Sequence, residues 1–114
     1  MSKTNGLKIL EAAQLPTDGV LAAVEKFPSR DPAGLRRQLC ESANSVAANI
    51  AEGFGRGTRS EKQHRLRIAR GSLEETQSHL KVSWKAGYLT SMVFYRLWNL
   101  TLVLSLMLAK LISK

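Results

Sequence analysis

The sequence predicts an all-α protein, an antiparallel up-down-up-down four-helix bundle, and three observations carry that reading. Apolar residues in the long segments recur every three to four positions, with few runs of strict alternation. Residues that start and stop helices punctuate the chain at intervals of roughly twenty to thirty positions. With 114 residues, 44% of them hydrophobic, the chain can fill one core but not two, so residues 1–114 form a single domain. Four helices of about 20 residues joined by short loops fit that length.

The first helix is expected over about residues 7–26, from Leu7 to Lys26. Pro16 lies inside it; proline lacks an amide donor and its ring clashes with the preceding turn, so a kink or restart is expected there. Phe27-Pro28 ends the segment. In Ser29-Arg30-Asp31-Pro32, Asp31 can accept from the free amides of the next helix and Pro32 suits its first position, which places the second helix over 32–52. Leu35, Leu39, Ala43, Val46 and Ile50 form its apolar stripe, and Ala47, Ala48 and Ala51 allow close backbone approach. Gly53-Phe54-Gly55-Arg56-Gly57 is expected to terminate it. Thr58-Arg59-Ser60-Glu61 reads as a capping box opening a third helix over 59–86, with Gly87 as its left-handed cap and Leu66, Ala69, Leu73, Leu80 and Trp84 as its inner stripe. The fourth helix, 91–112, is apolar on nearly every side from Leu97 to Ile112. In a soluble bundle that implies two buried faces, one toward its own core and one toward another subunit, so self-association is expected.

Lys and Arg number 17 against 9 acids, a net charge of +8. Such an excess attracts phosphates, and nucleic acid or an anionic membrane surface are the two partners it suggests. The uncharged stretch Leu97–Ala109 has 13 residues. Crossing a bilayer takes roughly 20, and Arg96 blocks extension, so no membrane role is expected. A lone cysteine, Cys40, excludes an internal disulfide, and the opening MSKTNGLKIL has no signal-peptide pattern, so a cytoplasmic location is expected.

The charge is concentrated. Arg56, Arg59, Lys62, Arg65, Arg67 and Arg70 follow one another with only Glu61 opposing them. At about 100° per residue, Arg59, Arg67, Arg70, Lys81 and Lys85 fall within an arc of about 80°, interrupted by Glu74. These cations are expected to contact phosphates of RNA or DNA, against the plainer alternative of a face charged for solubility. Lys62 falls on the side of Leu66, Ala69 and Leu73, so it either snorkels from the core's end or faces a central channel in an oligomer. No nucleic-acid-binding motif is present, and Trp84, Tyr88, Phe94, Tyr95 and Trp98 read as packing residues.

Signals for catalysis are weak. Gly53 to Gly57 resembles a phosphate cradle only superficially, since no strand precedes it and no Gly-Lys-Ser/Thr follows. His64, His79 and Cys40 have no partners at ligand or catalytic spacing, so neither a metal, a cofactor nor a catalytic residue is expected. Ser45, Asn49 and Glu52 line one helical edge; they could orient a base, but such an edge more often makes interhelical hydrogen bonds.

Several segments resemble one known family. They are Phe27-Pro28, Gly34-Leu35, Gln38-Leu39, Ser45-Val46 with Asn49-Ile50-Ala51-Glu52-Gly53, Gly55-Arg56, Ile68-Ala69-Arg70-Gly71-Ser72-Leu73 with Glu75, and Gly87-Tyr88-Leu89. In these the chain is similar to the four-helix-bundle proteins first found encoded in intervening sequences of 23S ribosomal RNA genes. The resemblance implies an up-down bundle, a ring-shaped homopentamer and no enzymatic activity, and it adds Ser72 and Glu75 to the polar set of Ser45, Asn49 and Glu52. The same family resembles the accessory variability determinant (Avd) of diversity-generating retroelements, a basic pentamer that binds nucleic acid and a reverse transcriptase. This sequence departs at Cys40-Glu41, where the family usually has a basic pair, and at Lys62 and Arg65, where it has bulky apolar or aromatic residues. Pro16 departs from the uninterrupted first helix of relatives.

Overall fold

A computed structural model describes the backbone of residues 3–55 and 57–112, and the side chains from residue 6 onward within those spans. Helix α1 spans Lys3–Ala23 and passes into a 3-10 turn, Val24–Lys26; α2 spans Leu35–Gly55, α3 Arg59–Lys85 and α4 Ser91–Ile112. The described residues contain no strand.

The ends of these helices follow from local chemistry, and three differ from the expectation. α1 begins four residues before Leu7 and runs through Pro16 without a break. A proline costs one amide bond and some steric strain. Here it is buried, with the buried residues Ile9 and Ala13 before it and Val20 and Val24 after it, so both halves of the helix are anchored in the core. α2 starts at Leu35, not at Pro32. The Asp31 carboxylate accepts from the amides of Leu35 and Arg36 at 3.0 and 2.9 Å, and its carbonyl from Gly34 N at 2.9 Å, so residues 31–34 fold as a turn and the cap reaches over it. α2 also continues through Gly53 to Gly55. Gly53 is buried where α3 passes, and a Cβ there would stand 3.4 Å from that of Arg65, an ordinary contact; the helix ends two residues later, within the segment 53–57.

The other boundaries use simple caps. Thr58 Oγ1 accepts from Glu61 N at 3.1 Å at the start of α3. At its end Gly87 takes φ 83° while Tyr88 N donates to Ser83 O at 2.9 Å, closing the last turn through a left-handed residue. α4 opens behind Thr90, whose Oγ1 accepts from Val93 N at 3.2 Å.

Each helix packs on two others, in the ring α1, α2, α3, α4 and back to α1. Neighbours run antiparallel. Gln63 at the start of α3 donates to the carbonyl of Leu111 at the end of α4, while Trp84 at the end of α3 stacks on Phe94 at the start of α4. The molecule measures 44 × 23 × 20 Å.

The core has two apolar halves. One gathers Ile9, Val46, Ile50, Leu66, Leu73, Leu104 and Leu108; the other Val20, Phe27, Leu39, Leu80, Phe94 and Leu97. Between them lie four buried hydroxyls, one from each helix: Thr17, Ser42, Thr76 and Thr101. Thr17 Oγ1 donates to Ala13 O at 2.9 Å, Thr76 Oγ1 lies 2.9 Å from both Ser42 Oγ and Ser72 O, and Thr101 Oγ1 donates to Trp98 O at 2.6 Å while accepting from Gln77 Nε2 at 3.1 Å. Local carbonyls and cross-helix partners satisfy every member, which is the condition for such a layer to be tolerated.

Leu104 is fully buried at the edge of this layer and lines a void of about 10 Å³ there. Leu104→Ala enlarges a space the bundle cannot close, and a loss of about 3–5 kcal/mol is expected. A shift of the urea midpoint at constant slope checks it; a loss below about 1 kcal/mol would mean that the layer collapses onto the missing side chain.

α4 is 22 residues long and, by length and composition, apolar enough to cross a membrane, because the helix extends past its 13-residue uncharged stretch to include Arg96 and Lys110. Its inner face, Phe94, Leu97, Thr101, Leu104, Leu108 and Ile112, is buried in the bundle. Its outer face carries exposed Met92, Tyr95, Leu102, Val103 and Leu106.

Candidate nucleic-acid interface

α3 is a 27-residue helix whose inner side is fixed by Leu66, Ala69, Leu73, Thr76 and Leu80. Everything else about its cations follows from that orientation. Arg59, Arg67, Arg70, Lys81 and Lys85 are exposed, on the flank of the helix that borders α4. Lys81 Nζ stands 5.2 Å from the centroid of the Trp98 ring on α4, a cation–π contact that marks this border. Arg67, Arg70 and Lys85 make no ion pair among the described residues. From Arg67 to Lys85 the row covers about 27 Å at the helical rise, the length of several phosphates. Glu74 is exposed within it.

Two of the expected cations lie elsewhere. Lys62 is half-buried with its Nζ 5.6 Å from the Phe54 ring centroid, and Arg65 Nη1 donates to Asn49 Oδ1 at 3.3 Å. Both belong to the flank of α3 that meets α2, across the helix from the row. Lys62 therefore snorkels along an aromatic ring on α2, and Arg65 joins an interhelical hydrogen bond. Arg56 lies outside the described residues.

The polar edge of α2 meets α3 directly. Ser45 Oγ and Ser72 Oγ are 2.8 Å apart, and Asn49 Nδ2 donates to Ser45 O at 2.8 Å. Glu52 is exposed, and Glu75 lies 3.8 Å from His79 Nε2 within α3. Burial pushes the Cys40 thiol pKa up, with Arg36 opposing and Glu25 reinforcing, which disfavours the thiolate. Among the described residues no three His, Cys, Asp or Glu side chains gather where they could hold a metal ion.

The structure adds an aromatic component that helix-by-helix reading misses. Trp84 stacks on Phe94 with centroids 4.2 Å apart and planes 7° from parallel, Phe94 continues to Trp98 at 5.6 Å, and Tyr95 sets its edge against Trp84 and Phe94. Phe94 is buried, but Tyr95 is 53% exposed, so the cationic row of α3 borders an aromatic and aliphatic outer face on α4. The signal available in the sequence was the spacing of Phe94, Tyr95 and Trp98 on one helix opposite Lys81 and Trp84 on its antiparallel neighbour.

Fold and site together define a class: a basic all-helical bundle with one cationic flank, one apolar outer face and a hydroxyl layer through its interior. The sequence profile of the 23S rRNA-intervening sequence protein family matches residues 5–110, and the chain belongs to that family. Among solved structures, it is similar to a protein of unknown function from the S23 ribosomal protein family of Bacteroides thetaiotaomicron VPI-5482. The two superpose with a TM-score of 0.87 over 96% of this chain and 99% of that one, at 17% identity, which establishes a shared fold. Compared with curated proteins by sequence, the chain has no match.

Proposed function

We propose that the protein acts by binding and not by catalysis, as a cytoplasmic nucleic-acid-binding accessory subunit assembled from several copies. One observation carries this reading: exposed Arg67, Arg70 and Lys85, free of ion pairs among the described residues, lie in one row with Arg59 and Lys81 on a body of net charge +8. Surface cations placed for solubility are normally interspersed with acids; within this arc Glu74 is the only one. Phosphates are the anions that such a row meets at regular spacing. The resemblance to the retroelement accessory protein supplies the finer proposal, a pentamer that presents these rows to a reverse transcriptase and its RNA.

A second reading is favoured by the exposed apolar residues of α4: an oligomeric scaffold that binds protein only, its charge serving solubility. Salt dependence separates the two. With about four phosphate contacts per chain, log K for single-stranded RNA or DNA should fall against log salt with a slope of about −3. No uptake of RNA or DNA at about 20 mM salt, where screening is weak, would leave the scaffold reading.

A further inference from the structure

A pocket of about 340 Å³ opens at the end of the bundle where the C-terminal end of α1 meets the α3–α4 connection and the first turns of α4. Its chemistry differs from that of the α3 row. Ala23, Leu89 and Val93 give it an aliphatic floor, and Lys26 and Arg96, both exposed, contribute its two charges. None of its lining residues is acidic, and α4, which supplies one wall, contains no acid along its whole length. Neither Lys26 nor Arg96 forms an ion pair among the described residues. The amino end of α4 adds the positive end of its dipole to the same wall.

Such a pocket selects for a ligand that is both anionic and apolar. A bare phosphate would leave the floor uncovered. A nucleotide would have to stack its base on the Arg96 guanidinium and would leave the aliphatic floor uncovered. The one aromatic lining residue, Tyr88, is already packed against Phe27, with centroids 5.2 Å apart and planes at 62°, and the floor itself is aliphatic. An aliphatic side chain suits this floor, and flanking carboxylates suit the cations, Arg96 being able to take one in bidentate fashion. We propose that this pocket docks an acidic peptide segment of a protein partner, seating one leucine-like side chain on the Ala23, Leu89 and Val93 floor between carboxylates held by Lys26 and Arg96. The inference is independent of the nucleic-acid reading, since it uses none of the α3 cations.

The probe is the peptide Ac-Glu-Glu-Leu-Glu-Glu-NH2, titrated into the full-length, isotope-labelled protein and followed by amide chemical shifts. The expected result is saturable shifts confined to residues 22–26 and 87–96, with a dissociation constant at or below about 1 mM, corresponding to about 4 kcal/mol. Replacing the central leucine by alanine should weaken binding about tenfold or more, as loss of a buried side chain requires. Lys26→Glu with Arg96→Glu should abolish the shifts while leaving the polynucleotide salt slope unchanged, and Lys26→Gln with Arg96→Gln serves if the reversal unfolds the chain. No saturable shift in these segments, or equal binding of the leucine and alanine peptides, overturns the proposal. So does saturable binding of adenosine monophosphate at the same amides without binding of the peptide, which would make this a nucleotide site.

Discussion

Reversing Arg67, Arg70 and Lys85 to Glu is expected to abolish retention of RNA and DNA at moderate salt while leaving the bundle folded. The three side chains are exposed and make no ion pair among the described residues, so their replacement removes no packing and opens no core. Surface changes of this kind shift stability by about 0.5 kcal/mol or less. Their effect on binding is much larger. Each reversal removes two units of charge, so the net charge falls from +8 to +2, and the row that gathers phosphates is replaced by one that repels them. Losing three phosphate contacts should reduce the salt slope by about 2 for a single strand, and with repulsion added the affinity at about 100 mM salt should fall on the order of a thousandfold. Reversing Arg36, Arg37 and Lys110, exposed cations on other helices, lowers the net charge equally and is the control. If both triple variants lose binding to the same extent, the total charge and not the row governs it.

The helices were legible because each writes its own burial into its period. Leu66, Ala69, Leu73 and Leu80 mark the inner side of α3 without reference to any other helix, and Thr58 and Gly87 mark its ends through backbone chemistry that acts within a few residues. The misplacements arise where a residue's meaning depends on another element. The segment 53–57 does end α2, but the helix runs on to Gly55 before it stops. Lys62 and Arg65 sit in the same dense run of cations as Arg67 and Arg70, but Phe54 and Asn49 of α2 claim them. Pro16 looks like a point of restart in isolation, but the helix continues through it with core residues on both sides.

The hydroxyl layer shows the same limit more sharply. A helical wheel places Thr17, Ser42, Thr76 and Thr101 each on an inner face, but it is blind to height along the bundle. Only antiparallel pairing, which brings Thr76 to Ser42 and Gln77 to Thr101, puts four separate hydroxyls at one level. The candidate site was legible to a similar degree. The row on α3 could be drawn from spacing, whereas its neighbour, the exposed face of α4 around Tyr95 and Leu102, became adjacent to it through Lys81 and Trp98.

That adjacency sets the second large effect. Val103 is 54% and Leu106 68% exposed, and with Tyr95 and Leu102 they give α4 an outer face that a lone soluble chain has no reason to keep apolar. Val103→Glu with Leu106→Lys makes this face polar, and the opposite charges one turn apart keep the net charge at +8 and favour the helix. Neither side chain contributes to the core, so the helical content should persist. The expected outcome is a shift from a multi-copy species to a single chain in sedimentation, with unfolding midpoints no longer dependent on concentration. Because charge is conserved, the nucleic-acid consequence isolates copy number. One cationic row in place of several linked ones should lower apparent affinity for a long polynucleotide by about 10²–10⁴ while the salt slope per chain stays the same. A variant that sediments as the parent does would show that this face is not what holds copies together, and a single-chain variant with undiminished affinity would show that one row suffices.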